Sequence, residues 1–428
     1  MIAWTVRTEG DTLRLDQRPG ARNAFYTADL IVAMDHVDEV LRSLDRHGVA
    51  FGDVDRSEGL GLARIGLKDD RAAAATLGDA VLSELQARGR PDPGWTARTD
   101  MDRVLAALRT HFAETYAGWT PTLGKNRLVG HVVGGGEISF GGGPGLRATA
   151  VRPQPKKQSP GHGVRVGVPD SSMSAHPWLE GGWIGSYSNV LGSAGDPHAV
   201  AGHATFVAGL VLSQAPGSVV EGRHALSDVN GEADSWSVAK EIVELGRDGL
   251  DVLNLSFVCY TEDGQPPLVL ATAIDRLDAR TVVVAAAGNH GDPATAATPD
   301  DCRKPAWPAA LDDVIAVGAA HPGGAAAVFT PADAPWIDVL APGVDVVSTF
   351  LSGRVNLRKE ADPPQYQQFD GYAAWSGTSF ASALVSGAIA ARTRPGVSAR
   401  EAWAQLRGPR VATSGPPFLD LQGVLYDP

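Results

Sequence analysis

Four short apolar runs constrain this chain more than any other feature. V-R-V-G-V (164–168), D-V-L-N-L-S-F (251–257), T-V-V-V-A-A-A-G (281–288) and V-I-A-V-G-A (314–319) are too brief for helices and too continuous for strands with a wet face. Stretches with helical spacing, at 205–212, 238–245 and 269–277, separate several of them. Apolar strands alternating with helices require a parallel sheet covered on both faces. Folds of this kind hold their ligands beyond the carboxyl ends of the strands, so functional side chains are expected there.

The first part of the chain has a different texture. Residues 25–34 read as a strand, and 36–47 place Val37, Val40, Leu41 and Leu44 on one helical face. A second strand is expected at 60–67, a second helix around Ala80, Val81, Leu82 and Leu85, and a third at 101–112. A glycine-rich run, V-V-G-G-G-E-I-S-F-G-G-G-P-G-L (132–146), then leads to Pro153, Pro155 and Pro160. No Gly-Lys-Ser/Thr follows those glycines, so they are not a phosphate loop, and the prolines make a stiff, extended connection. At 428 residues the chain exceeds what one core comfortably organises. The expected division is an amino-terminal α/β domain with its linker at 1–154 and a second domain at 155–428.

The net charge of −12, without a long basic run, argues against nucleic acid or an anionic membrane as the main partner. No eighteen-residue apolar window implies a spanning helix. The opening M-I-A-W-T-V-R-T-E-G-D lacks an apolar signal core, so a cytoplasmic location is expected, with export by another route left open. Cys259 and Cys302 have no zinc-ligand spacing; reduced buried thiols are expected, with a single disulfide as the alternative.

The strand ends carry chemistry. Asp170 follows V-R-V-G-V, His203 opens the helical run A-T-F-V-A-G-L-V-L, Asn289 follows A-A-A-G, and Ser379 lies where W-S-G-T turns into F-A-S-A-L-V-S-G. Taken singly, each has an ordinary reading as a turn residue, a packed histidine or a helix cap. Together they supply acyl transfer. A serine hydroxyl needs an imidazole to take its proton, and the imidazole needs a carboxylate to fix its tautomer. The oxyanion needs donors, here the Asn289 amide and the Ser379 backbone N–H. His176 and His198 compete for the role of base, but neither begins an apolar helix. No histidine follows Ser379 and G-T-S-F-A lacks a second glycine, which excludes the α/β-hydrolase arrangement; H-E-x-x-H is absent as well.

The order Asp, His, Ser and its surrounding motifs resemble the subtilisin-like serine proteases, or subtilases, over residues 163–428. V-G-V-P-D-S-S with H-P-W-L, G-H-A-T-F-V-A-G, A-A-A-G-N and G-T-S-F-A-S-A-L-V-S-G are similar to that family's aspartate, histidine, oxyanion and serine segments. W-P-A-A-L-D-D-V-I-A-V-G-A and W-I-D-V-L-A-P-G-V-D-V-V-S-T add to the likeness. The resemblance implies a three-layer α/β fold with a mostly parallel central sheet, preceded by the smaller α/β domain. It implies endopeptidase activity through Asp170, His203 and Ser379, with Asn289 in the oxyanion hole. It further implies an extended peptide or protein substrate beside Ser256, Phe257, Val258, Ala286 and Gly288. Ser172, Ala204, Phe206, Ala383 and Val258 depart from the family's usual residues, and Val258 implies a narrower or reshaped pocket. No cofactor is required and no metal ligand is assigned; structural calcium, common in the family, stays open with its ligands unassigned. The amino-terminal domain is expected to contact the catalytic domain or a substrate, either as a removable pro-segment or as a lasting recognition domain. A transpeptidase or macrocyclase on the same triad, and a silent peptide-binding homologue, are the alternative functions. Oligomeric state is not legible.

Overall fold

The computed structural model describes residues 24–131, 145–154, 160–192, 195–261, 263–294, 298–358, 364–408 and 415–427, with two further strand pieces at 7–8 and 11–15. The glycine-rich run 132–144, read above as a linker, lies outside the described residues.

The amino-terminal unit comprises β1 (Arg7–Thr8), β2 (Asp11–Leu15), β3 (Ala24–Ala33), α1 (Val37–Arg46), β4 (Phe51–Ser57), β5 (Leu62–Leu67), α2 (Asp70–Ala87), α3 (Asp100–Thr115) and β6 (Leu123–His131). Its strands run in the order β1-β2-β3-β5-β4, with β6 pairing antiparallel to β3. The run Leu30-Ile31-Val32 is fully buried because both faces of β3 are covered. Leu30 and Val32 join Val40, Leu44, Leu77, Val104, Leu108 and Phe112 under the three helices. Ile31, one residue out of phase, packs with Leu60, Leu62 and Val129 against Trp236, Ile242 and Leu245 of the other unit. The two units therefore share a hydrophobic core rather than a loose contact. Full burial of side chains this size is worth about 1.5–3 kcal/mol each.

The second unit contains β7 (Arg147–Ala148), β8 (Arg165–Asp170), β9 (Trp183–Ile184), α4 (His203–Gln214), β10 (Val219–His224), β11 (Glu232–Asp234) and α5 (Ser235–Arg247). It continues with β12 (Val252–Leu255), β13 (Phe257–Val258), α6 (Leu268–Asp275), β14 (Val282–Ala286), β15 (Val314–Ala320), β16 (Val339–Pro342), β17 (Val346–Arg358), β18 (Gln365–Trp375), α7 (Thr378–Arg392) and α8 (Ala399–Arg407). Seven strands form one parallel sheet in the order β16-β15-β14-β12-β8-β10-β9. Successive side chains alternate between its faces. Val166, Val252, Val284 and Val317 pack with α4 and α7, while Leu253, Leu255, Val283 and Ala316 pack with α5 and α6. This is the three-layer α/β arrangement expected from the apolar runs.

Several strands, β4, β10 and β16 among them, were not read from the sequence, and neither were three longer ones. β17 and β18 form a long antiparallel hairpin whose outer residues are polar and whose register shifts twice. The third is β6. The segment around β7, expected to belong to the linker, packs on the second unit: Ala148 and Arg147 pair with Ala373 and Ala374, Leu146 enters the core, and Arg147 bonds Asp345 and Asp427. The 251–257 run divides into β12 and β13 at Ser256. Cys259 and Cys302 are both free and buried. No helix among the described residues is long and apolar enough to cross a membrane.

A polar knot fixes how the units meet. Asn126 on β6 is fully buried, and its carbonyl oxygen accepts from the Ser235 hydroxyl (2.9 Å) and the Trp236 N–H (3.0 Å) at the start of α5. Its amide donates to Asp29 (2.9 Å) and Asp234 (3.1 Å). Asn126→Ala would leave several buried groups unsatisfied, at about 1–3 kcal/mol for each. In a Ser379→Ala background, β6 amides of Asn126→Ala should exchange hydrogen much faster than in the parent, with the central sheet unchanged.

Candidate active site

The four candidate residues converge at the carboxyl edge of the parallel sheet. Asp170 ends β8, His203 is the first residue of α4, Asn289 follows β14 by three residues, and Ser379 is the second residue of α7. All four are buried.

Asp170 and His203 form a direct pair. His203 Nδ1 is 2.9 Å from each Asp170 oxygen. The carboxylate can only accept, so Nδ1 carries the hydrogen and Nε2 remains as the basic nitrogen. Asp170 also accepts from the Ser171 N–H at 2.7 Å. Burial works against its ionisation, but the adjoining His203 and His131 rings outweigh burial and hold its carboxyl below the usual carboxylate range.

His131, the last residue of β6, is the feature sequence reasoning missed. Its Nε2 lies 3.0 Å from Asp170 Oδ1, and its ring stacks on His203 with centroids 3.9 Å apart. Burial first, and then the charge of His203, holds its pKa below the ordinary histidine value. With Nε2–H committed to Asp170, Nδ1 is buried without a hydrogen-bond partner. Gly231 makes room for this ring: it adopts φ 71°, and a side chain there would collide with Nδ1. The only hint in the sequence is a histidine ending V-G-H before the glycine run, a pattern shared with any strand end.

Strand β6 also fills the edge where the resemblance puts a peptide. It pairs antiparallel with β13, Phe257 opposite His131 and Val258 opposite Gly130, and with β11, Ala233 opposite Val129. Phe257 and Val258, next to Ser256, are thus paired with an extended strand of the chain itself. Ala286 packs with Val258, Tyr260 and Ala306, while Gly288 takes φ 95° at the turn before Asn289.

The oxyanion candidate is held by Thr378, the first residue of α7. Thr378 donates its N–H and its hydroxyl to Asn289 Oδ1, both at 2.9 Å, and its hydroxyl accepts from the Gly288 N–H at 3.1 Å. Anchoring Oδ1 directs the amide nitrogen to the other side, toward Gly377. Thr378 is therefore a positioning residue.

The remaining serines are structural. Ser382 and Ser256 both donate to the Ser379 carbonyl (2.9 and 3.0 Å), Ser386 donates to Asn254 (3.0 Å), and Ser376 accepts from the Asp345 N–H (3.0 Å). The Ser379 hydroxyl itself donates to the Ser256 carbonyl at 3.2 Å, and among the described residues no hydrogen bond joins it to His203. The rival histidines lie elsewhere in the bonding: His176 accepts from the Trp178 N–H and faces the Gly371 carbonyl, and His198 bridges backbone to Asn356.

If Asn289 supplies an oxyanion donor, Asn289→Ala should lower kcat by roughly 10²–10³-fold with KM little changed, the magnitude measured in a subtilisin. Thr378→Val should give a smaller loss in the same parameter. Steady-state kinetics on a peptide ester would read both.

Comparisons with known proteins identify the family. The subtilase family model matches residues 161–413, well over half of the chain. The thermophilic serine proteinase of Bacillus sp. (strain AK1) is 31% identical over 255 residues, covering 56% of this chain and 55% of that protein. Subtilisin DY of Bacillus licheniformis is 32% identical over 260 residues, covering 58% and 81%. The chain thus spans about half the length of the first of these relatives and most of the second. Among solved structures, fervidolysin from Fervidobacterium pennivorans, a keratinolytic enzyme related to subtilisin, aligns with 99% of this chain and 62% of its own at a TM-score of 0.58 and 16% identity. That likeness concerns the fold, and it extends over the amino-terminal unit as well. By its matched domain and its three-layer architecture, the chain belongs to the subtilase family.

Proposed function

We propose that the chain is a serine endopeptidase whose amino-terminal unit holds it idle until cut. The carrying observation is the buried Asp170–His203 pair at the strand ends, with Ser379 and Asn289 at neighbouring turns. Ser379 Oγ attacks the scissile carbonyl carbon while His203 Nε2 takes its proton. Asp170 holds Nδ1–H and stabilises the imidazolium. The oxyanion accepts from Asn289 Nδ2 and the Ser379 N–H. His203 then returns the proton to the leaving amine, and water, activated the same way, releases the acyl group.

The substrate class is an extended peptide added as a strand to β13, a mode that relies on main-chain hydrogen bonds. Occupation of that edge by β6, and of Asp170 by His131, supports the inhibitory reading of the amino-terminal unit over a lasting recognition role. A fluorophosphonate probe should label the mature protein and fail on Ser379→Ala. Wild type should also lose its amino-terminal unit through a cut between β6 and β7, while Ser379→Ala stays intact. No labelling of a folded, separated catalytic unit would favour the silent peptide binder.

The docked strand carries its own proton dependence. His131 faces Asp170, His203 and Asp228, and its buried ring prefers the neutral form. A base whose bound-state pKa is lowered binds fully above its free value, near 6.5, and loses binding as the pH falls through it. Limited proteolysis of Ser379→Ala should therefore release β6 progressively below about pH 6.5. His131→Gln should flatten that profile.

A further inference from the structure

The amino-terminal unit holds a second histidine–carboxylate cluster, for which peptide cleavage has no use. His47 follows α1, Glu84 lies on α2 and His111 on α3. His47 Nε2 is 3.3 Å from Glu84 Oε1, and His111 Nδ1 is 3.1 Å from Glu84 Oε2. Both imidazoles are nearly enclosed, with side chains 4% and 5% exposed, whereas Glu84 reaches the surface at 39%.

A hydrogen bond fixes the tautomer of His47. Its Nδ1 lies 2.7 Å from the Ser43 carbonyl, which can only accept, so Nδ1 carries the hydrogen. A neutral His47 then turns the Nε2 lone pair toward a carboxylate oxygen. Two acceptors face each other, and either a proton or a cation must lie between them.

Two observations favour the cation. The two rings stand 4.7 Å apart at 86°, so their in-plane lone pairs can converge on one point. The stacked His131 and His203 rings, tilted by only 31°, do not offer that convergence. A backbone carbonyl on the far nitrogen is also the usual second partner of a metal-bound histidine. Arg46 and Arg88 are the nearby cations; Arg88 donates to the Glu114 carbonyl rather than to Glu84.

We propose that His47 Nε2, Glu84 and His111 Nδ1 bind a divalent transition metal, with Zn2+ the best match. Two imidazoles and one carboxylate suit it, at about 2.0–2.2 Å each after a small contraction, with water as fourth ligand. The hollow beside Arg88, Thr110 and Glu114 gives that water access. The ion would tie together the three helices that cover the sheet carrying β6. The ligands are scattered along the chain, which is why no metal spacing was visible.

The full-length Ser379→Ala chain, stripped with a chelator, should bind one equivalent of Zn2+ by calorimetry, gain thermal stability, and develop a visible spectrum with Co2+. Glu84→Gln and His111→Gln should each weaken binding more than the roughly 10–100-fold typical of losing an outer-shell partner. His131→Gln should leave it unchanged. Absence of stoichiometric metal in the folded chain, survival of binding in both ligand variants, or its loss in His131→Gln would overturn the assignment; the first would mean that a proton alone bridges His47 and Glu84.

Discussion

A carboxylate with no access to water must be paired, and the centre of this molecule is arranged around that requirement. Asp170 is fully buried at a strand end, and three donors meet it: the Ser171 N–H, the His203 ring and the His131 ring. Removing a charge from water costs several kcal/mol even after relaxation, so each donor is firmly held. The parallel sheet supplies Asp170 and the first of these donors; α4 supplies the second. The third comes from the other unit, and that single contact ties the state of the active site to the docking of β6.

Docking is secured along the whole strand rather than at its tip. β6 hydrogen-bonds to β3 on one side and to β11 and β13 further along, so it is a shared member of two units. Val129 enters the interface core, and Asn126 caps the start of α5. A peptide substrate could reproduce the main-chain pairing but not the shared core or the asparagine. That difference favours the chain's own strand at this edge while it remains attached. The Ser379 hydroxyl is turned to the carbonyl of Ser256, the residue before β13.

Much of the fold was legible because burial on both faces leaves a plain signature. The strands near 164–168, 281–288 and 314–319 and the helices between them follow from continuous apolar runs and their spacing. Asp170, His203, Asn289 and Ser379 were legible because they stand at the ends of those runs. The β17–β18 hairpin was not, since its exposed face carries polar residues and its register shifts. β6 was not either: L-G-K-N-R-L-V-G-H hides buried Lys125, Asn126 and Arg127 among its apolar positions, where Asp102 meets the Lys125 ammonium, Asp29 the Asn126 amide and Ser235 the Arg127 backbone N–H.

The sequence by itself determined the parallel sheet, the family and the four residues at the strand ends, because local pattern and motif order suffice for these. Only the tertiary structure decided what meets Asp170 besides His203, what orients Asn289, and which strand lies on β13. It also decided that His47, Glu84 and His111 share one spot. The physical reason is common to all four: hydrogen bonds and ligand sets form between segments tens of residues apart, and no periodicity along the chain records which of them will touch.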